Sequence, residues 1–245
     1  MEGPAGGEGD KIMTGPLPDT KAARARVLAS VRSGLGVTGQ ESDRKAAVAG
    51  RLKTHARNLI PARARQPQPA LVRIFRDYLE GQSATVVEVA SPADLPSEIA
   101  GYLRGRNLAL SIRLGEDPLW STLPWDQEPA LERHPGKAEG TDQAGLSRAI
   151  AGVAETGTLI FTSGPDNPTT INYLPETHLI VVRACDITGA YEDMWTKIRA
   201  THGEGQMPRA VNFISGPSRT ADIEQQLVMG AHGPRRMHVM IVGEE

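Results

Sequence analysis

The hydrophobic pattern divides the chain near residue 67. Before that point the spacing is helical. Val27, Leu28 and Val31 share one face of KAARARVLASVR, with Thr20 placed to cap its start and Gly34 and Gly36 to stop it. Ser42 can cap a second helix, DRKAAVAGRLKTHARNLI, which Pro61 ends, and PARARQPQP reads as a linker. Residues 1–19 are rich in glycine and proline and carry no period, which predicts a disordered tail. The expected organisation is a tail over 1–19, a basic helical arm with linker over 20–66, and a folded domain over 67–245.

Within that domain helical and strand patterns alternate. Leu71, Val72, Phe75, Tyr78 and Leu79 have helical spacing, closed by Gly81. ATVVEVA predicts a strand, and Ser91-Pro92 opens a helix through Leu103. NLALSIR predicts a second strand, followed by an irregular stretch containing Trp120 and Trp125. GLSRAIAGVA then reads as a short helix, TLIFTS and HLIVVR as strands, and the stretch from about Ile187 to Ile198 as a helix. VNFIS, a helix ADIEQQLVM and the strand MHVMIV close the pattern. Strands that are continuous apolar runs between helices predict an α/β fold: an open, mostly parallel sheet with helices on both faces. The long connection from Gly164 to Thr177 carries no helical pattern, which leaves room for two antiparallel strands.

Composition narrows the function classes. Counting the 26 glycines with the apolar residues brings that fraction to roughly 48%, ordinary for a globular protein that buries a core. A single cysteine, Cys185, excludes an internal disulfide framework, a cysteine zinc ribbon and an iron–sulfur cluster held by this chain's own thiolates. No apolar run reaches the ~18 residues of a membrane span and the start has no secretory pattern, so a cytoplasmic location is expected. Aromatic residues are 4% of the chain, too few for base-stacking platforms, and nucleic acid is not an expected partner. Charge is uneven: Lys21 to Arg76 carries 13 basic and two acidic residues, and residues 77–245 carry 13 basic and 23 acidic ones. A solvated basic helix face accounts for the first block; self-docking or an anionic partner is the alternative.

Candidate chemistry lies in a few loops. Gly34-Leu35-Gly36-Val37-Thr38-Gly39 matches GxGxxG, but a helix precedes it and no acidic residue follows at the distance a dinucleotide fold requires, so it reads as a helix-to-helix loop. Ser215-Gly216-Pro217-Ser218-Arg219-Thr220 would join a strand to a helix, where backbone N–H groups, hydroxyls and Arg219 can hold an anion. Plain capping by Ser218 or Thr220 explains the same residues, and Asp222 and Glu224 oppose an anion there. Glu155 within GVAETGT is a candidate acid, base or nucleophile, while Gly157 can simply close a helix. The loops at Ser163-Gly164-Pro165, Arg183–Asp186 and Ser215–Thr220 would meet at one carboxyl rim if their strands are parallel. His232 reads as a helix C-cap or a proton donor, His238 as a core residue and Cys185 as a small buried hydrophobe. The six histidines show no metal-ligand spacing, so no metal is expected.

AETGTLIFTSGP, LPETHLIVV and FISGPSRTADIEQQLVMGAHGPRRMHVMIV together resemble the lactate utilization protein C family, also called the LUD domain. The resemblance is strongest over residues 142–245 and reaches weakly back to about residue 69. It implies a fold of the NagB/RpiA/CoA-transferase type. It also implies one component of a three-protein cytoplasmic system that oxidises L-lactate to pyruvate, with iron–sulfur clusters in two cysteine-rich partners and no cofactor in this chain. The basic arm from Lys21 to Arg65 lies outside the diagnostic region, and Cys185 is not a signature of the family, so neither takes a role from the resemblance. With neither cluster ligands nor a dinucleotide fingerprint, the chain is not expected to oxidise lactate alone.

The leading expectation is an accessory subunit that holds a small anionic ligand. Its site would comprise Ser215, Gly216, Ser218, Arg219 and Thr220, with Glu155, Thr156, Gly157, Thr158, Ser163, Gly164 and His232 nearby. The alternatives are a free-standing enzyme using Glu155 on an acyl-thioester or phosphorylated substrate, by analogy of fold, and a nucleic-acid-binding regulator using the basic arm.

Overall fold

Helix propensity and tertiary packing act on different parts of this chain. A computed structural model describes residues 20–203, 205–223 and 226–243, with the backbone alone for 221–223 and 226–228. It divides into two units, Met1–Arg57 and Asn58–Glu245. The expected tail over 1–19 lies outside the described residues.

The first unit contains α1 (Thr20–Gly34) and α2 (Ser42–Thr54), neither with a buried residue. The GxGxxG stretch is the turn between them. The Glu41 carboxylate accepts from Thr38 N at 2.7 Å and from Gly39 N at 3.0 Å, so it fills the amides that a phosphate would need. Those bonds, Thr38 first, pull its pKa down to about 2. α2 stops at His55, which turns left-handed at φ 44, well before the expected end at Pro61.

The second unit runs α3 (Gln68–Gly81), β1 (Thr85–Val89), α4 (Leu95–Gly105), β2 (Ser111–Leu114), α5 (Leu119–Thr122), β3 (Glu132–Pro135), β4 (Ala144–Arg148), β5 (Ala151–Val153), β6 (Thr158–Thr162) and β7 (Thr177–Arg183). It continues with β8 (Ile187–Thr188), α6 (Tyr191–His202), β9 (Val211–Ile214), β10 (Arg219–Ile223), β11 (Gln226–Met229) and β12 (Arg236–Val242). Before α4, the Ser91 hydroxyl accepts from Ala93 N and Asp94 accepts from Ser91 N, the start that Ser91-Pro92 predicts. The segment read as a linker belongs to this unit: Ala64 is buried, and Gln68 Nε2 donates to Ile187 O at 2.9 Å and to Ala184 O.

Six strands form a wholly parallel sheet in the order β1-β12-β7-β4-β2-β3. Alternation along the central strands sends side chains to two cores. Leu179, Val181, Met240 and Val242 pack with α4 and the two tryptophans, whereas Ile180, Val182, Val239 and Ile241 pack with α3 and with Leu159 and Phe161 of β6. Fully burying a side chain such as Phe75 or Phe161, both 0% exposed, contributes about 1.5–3 kcal/mol. A second, mixed sheet of order β8-β5-β6-β9 lies beside α3, and α6 covers its outer side through Met194 and Ile198. The α/β class and the parallel sheet flanked by helices are as the pattern predicts; the second sheet is not.

Two expected helices are strands. GLSRAIAGVA forms β4 and β5, because its small residues make room in a crowded interior rather than a helix face. A Cβ on Gly145 would meet Ile171 O at 2.8 Å, and one on Gly152 would meet the Phe75 ring at 2.9 Å. Of ADIEQQLVM, residues 221–223 belong to β10 and 226–229 to β11, which pair antiparallel, and 224–225 lie outside the described residues. The ends of this hairpin are held together: Arg219 pairs with Met229, and Gly230 N donates to Ser218 O at 2.8 Å. A helix of nine residues would separate them by about 13 Å. The helix expected from Ile187 begins instead at Tyr191, after the short β8.

Candidate functional site

The loop after β9 is stitched to the turn before β12. Ser218 N donates to Pro234 O at 2.8 Å, and His232 N donates to Ser218 Oγ at 3.2 Å. Between these loops and the amino ends of β7 and β12 lies a cavity of about 260 Å³. Ser215, Gly216, Ser218, Arg219 and His232, all expected at an anion site, line it. Thr220, one residue into β10, is not among the lining residues. The expected helix N-terminus is absent, so the anion-binding potential rests on Arg219 and the hydroxyls rather than on a helix dipole; likewise His232 caps no helix.

The inner wall consists of residues the sequence reading missed. His178, the second residue of β7, is fully buried, and Asn172 is 1% exposed. Ser147 Oγ lies 2.6 Å from His178 Nε2, and burial pushes that imidazole's pKa down to about 3, so it is neutral. His178 Nδ1 and both polar atoms of the Asn172 side chain are buried without a hydrogen-bond partner. Tyr173 lines the same cavity, and burial raises its phenol pKa. The available signal was a histidine inside the otherwise apolar run THLIVV and an asparagine between Ile171 and Tyr173. At the mouth, Arg219 Nη2 donates to Gln82 Oε1, and a Cβ on Gly216 would meet Gln82 Cβ at 2.8 Å.

The other expected site residues divide into two places. β6 and β9 are antiparallel, with Leu159 opposite Ile214 and Thr162 opposite Val211. The three loops therefore do not share one rim. Ser163 and Gly164 lie at the far end of β6, in a separate cavity with Glu116 and Lys137, and Ser163 Oγ accepts from Ala210 N at 2.9 Å. The Arg183–Asp186 loop is closed by its own ion pairs, Asp186 with Arg183 at 2.7 Å and with Lys197.

Thr156 and Thr158, by contrast, reach the first cavity through Ser215. Thr158 Oγ1 lies 2.7 Å from Ser215 Oγ and 2.8 Å from Thr156 Oγ1, and the Tyr191 hydroxyl is 2.9 Å from both threonines. Glu155 and Gly157 sit in the β5–β6 turn rather than at a helix end. Gly157 has φ 61, and a Cβ there would meet Tyr78 Cβ at 2.6 Å. Glu155 is 9% exposed; its amide donates to Gly189 O, while its carboxylate has no hydrogen bond or ion pair among the described residues. It does not line the cavity.

Two further residues need comment. His238 is buried as expected: it stacks on Tyr102 at 4.1 Å, and Nδ1 lies 2.8 Å from Thr85 Oγ1. Its pKa falls to about 4, chiefly by burial and then by the Arg106 charge, although Glu98 Oε1 stands 3.2 Å from Nε2. Cys185 is exposed, not buried, because it sits in the 3-10 turn that carries β7 out of the sheet. Among the described residues no group of three or more His, Cys, Asp or Glu side chains is arranged to hold a metal, and no helix is long and apolar enough to cross a membrane.

An α/β unit with these two sheets defines a fold class, and sequence comparison places it further. A family model described as the LUD domain matches residues 72–242, and the chain belongs to that family. An uncharacterized protein of Neisseria meningitidis serogroup B is 38% identical over 100 residues, 40% of this chain and 42% of that protein. The lactate utilization protein C of Shouchella clausii is 31% identical over 121 residues, 49% of this chain and 52% of its own length. The chain thus spans about half, or less, of these two relatives. For the lactate utilization protein C of Deinococcus radiodurans the match is 30% over 187 residues, 75% of this chain and 84% of that one. A crystal structure of a DUF162 family protein from Deinococcus radiodurans superposes with a TM-score of 0.55 at 21% identity, covering 73% of this chain and 99% of that chain.

Proposed function

We propose that this chain is an accessory component of L-lactate utilization, acting with two cysteine-rich iron–sulfur proteins that oxidise L-lactate to pyruvate in the cytoplasm. The observation that carries the reading is its membership of the LUD family over residues 72–242, together with relatives named lactate utilization protein C. The donor chemistry agrees with a divided system. Lactate oxidation releases two electrons and two protons, and one exposed thiol, Cys185, cannot supply the cysteine set of a cluster. The electrons would pass to the clusters of the partners. This chain would contribute the ligand cavity between the Ser215–Arg219 loop and β7, whose lining includes Arg219 and, among the described residues, no carboxylate. Growth on L-lactate as sole carbon source tests the role. A deletion strain that grows as the parent does removes it; failure rescued by the intact gene supports it.

Glu155 supports a second reading, because its carboxylate, at the end of a mostly buried side chain, has no hydrogen bond or ion pair among the described residues and is not closed off from solvent. In that reading Glu155 acts as base or nucleophile in a free-standing enzyme of the CoA-transferase-like fold, on an acyl-thioester or phosphorylated substrate. Full activity in a Glu155→Gln variant would remove it.

A further inference from the structure

Among the described residues the two larger sheets end in four edge strands, β1 and β3 on the parallel sheet and β8 and β9 on the mixed one. An open edge is a row of main-chain donors and acceptors that a further strand can take up, and folded proteins guard it with charge, proline or brevity. β1 carries Glu88, β3 reads Glu132-Arg133-His134-Pro135, and β8 is two residues long. β9, Val211–Ile214, is longer than β8 and has neither a charge nor a proline.

The register of β9 shows which groups it leaves open. Ser163 N donates to Ala210 O at 3.0 Å, and in the same register Phe161 stands opposite Asn212 and Leu159 opposite Ile214. Hydrogen-bonded pairs alternate along an antiparallel ladder, so Asn212 and Ile214 turn their N–H and C=O groups toward β6. Val211 and Phe213 turn theirs to the open edge, where no described residue bonds them. The side chains there are apolar. Phe213 is 42% exposed and leans on Trp195 and Tyr191 of α6, with ring centroids 5.7 and 6.0 Å away, and Val211 packs on the same cluster.

Charge along this edge is complementary to itself. Exposed Arg209 lies just before β9, at the end where α6 finishes in Arg199 and His202. The other end of β9 meets the start of α6: Thr158 Oγ1 is 2.7 Å from Ser215 Oγ and 2.9 Å from the Tyr191 hydroxyl, and Glu192 and Asp193 follow in the first helical turn. A second copy turned by a two-fold rotation therefore brings each Arg209 to the acidic end of the other, whereas a parallel approach sets basic ends together.

We infer that β9 pairs antiparallel with β9 of a second copy of this chain, across a two-fold axis at Asn212. Val211 of each copy then forms a hydrogen-bonded pair with Phe213 of the other. Two such pairs supply four main-chain bonds and lay a β-branched residue against an aromatic ring on each side of the axis. The two four-stranded sheets become one sheet of eight strands.

Sedimentation equilibrium of the purified full chain over a concentration series tests this, with a monomer–dimer equilibrium as the expected result. Val211→Pro removes an outward N–H at the first residue of a strand, a place that proline tolerates, and leaves the bonds to β6 intact. It deletes two of the four bonds between copies and should raise the dimer dissociation constant at least about tenfold. Arg209→Glu should weaken the dimer too, and Glu192→Arg added to it should restore association. Arg209 is exposed, so this pair of variants reads the interface even where Val211→Pro fails to fold. In a Cys185→Ser background, Asn212→Cys should cross-link the dimer on mild oxidation, because residues on the axis form a non-hydrogen-bonded pair with Cα atoms about 4.5 Å apart. A chain that stays monomeric at every concentration, whether β9 remains bare or takes up a strand of another protein, would overturn the inference. So would a dimer that neither Val211→Pro nor Arg209→Glu weakens, or one that Asn212→Cys does not cross-link.

Discussion

Ser147 Oγ stands 2.6 Å from His178 Nε2 across the parallel pair β4–β7, where Gly145 is the direct partner of His178 and Ser147 lies two residues further along the same face. That contact fixes one edge of the ring and leaves Nδ1 as the unassigned edge. It fixes the orientation of a buried, neutral imidazole beside the cavity.

Removing the hydroxyl therefore has a clear expected outcome. Ser147→Ala leaves both ring nitrogens of His178 buried without partners, which should cost about 1–3 kcal/mol. Urea unfolding would show a lower midpoint with an unchanged slope. An unchanged midpoint would mean that the hydrogen bond contributes nothing to the fold.

Stability should also fall in mild acid. His178 and His238 are held neutral, with pKa values lowered from 6.5 to about 3 and about 4. The unfolded chain takes up those protons near pH 6.5 and the folded chain does not. The stabilisation is thus complete above pH 6.5 and declines as pH drops, until the folded groups titrate near 4 and 3. At pH 5 each histidine costs roughly 2 kcal/mol relative to neutral pH. Unfolding curves at pH 7.5 and 5.0 measure the decline, which His178→Gln should make shallower. Equal stability at both values would show that neither ring is kept neutral.

Much of the parallel sheet was readable because β7 and β12 carry the apolar runs LIVV and VMIV, and burial on both faces demands that composition, while the edge strand β1 showed itself by its β-branched TVV. β4 and β5 were not, since Ala144, Gly145, Ala151 and Gly152 satisfy a helical spacing as well as a strand. What decides between them is space beside Phe75 and Ile171, a tertiary quantity. The β10–β11 hairpin was hidden for a related reason: its helix-favouring residues are overruled by the bonds from Ser218 to Gly230 and Pro234. Around the first cavity, Ser215, Gly216, Ser218, Arg219 and His232, which loop placement and the family resemblance suggested together, share one lining. Asn172 and His178 escaped because a lone polar residue in an apolar stretch shows its environment only after the strands are laid side by side. Ser163 and Gly164 were misplaced by the assumption that β6 and β9 run the same way.

The close approach at Gly152 gives a packing test. Gly152→Ala drives a methyl into the Phe75 ring and should destabilise the fold by about 1–3 kcal/mol. Combining it with Phe75→Leu should cost less than the two single changes together, because the smaller side chain vacates the space that the methyl needs. Strict additivity in urea unfolding would show that the two residues do not compete for one volume.

The most direct test of the proposed role is anaerobic affinity purification of the tagged full chain from L-lactate-grown cells, with iron, sulfide and peptide analysis of what elutes. The account predicts two cysteine-rich proteins in near-equal amounts with this chain, carrying the iron and sulfide. Recovery of the chain alone, from cells that express those proteins, would contradict it.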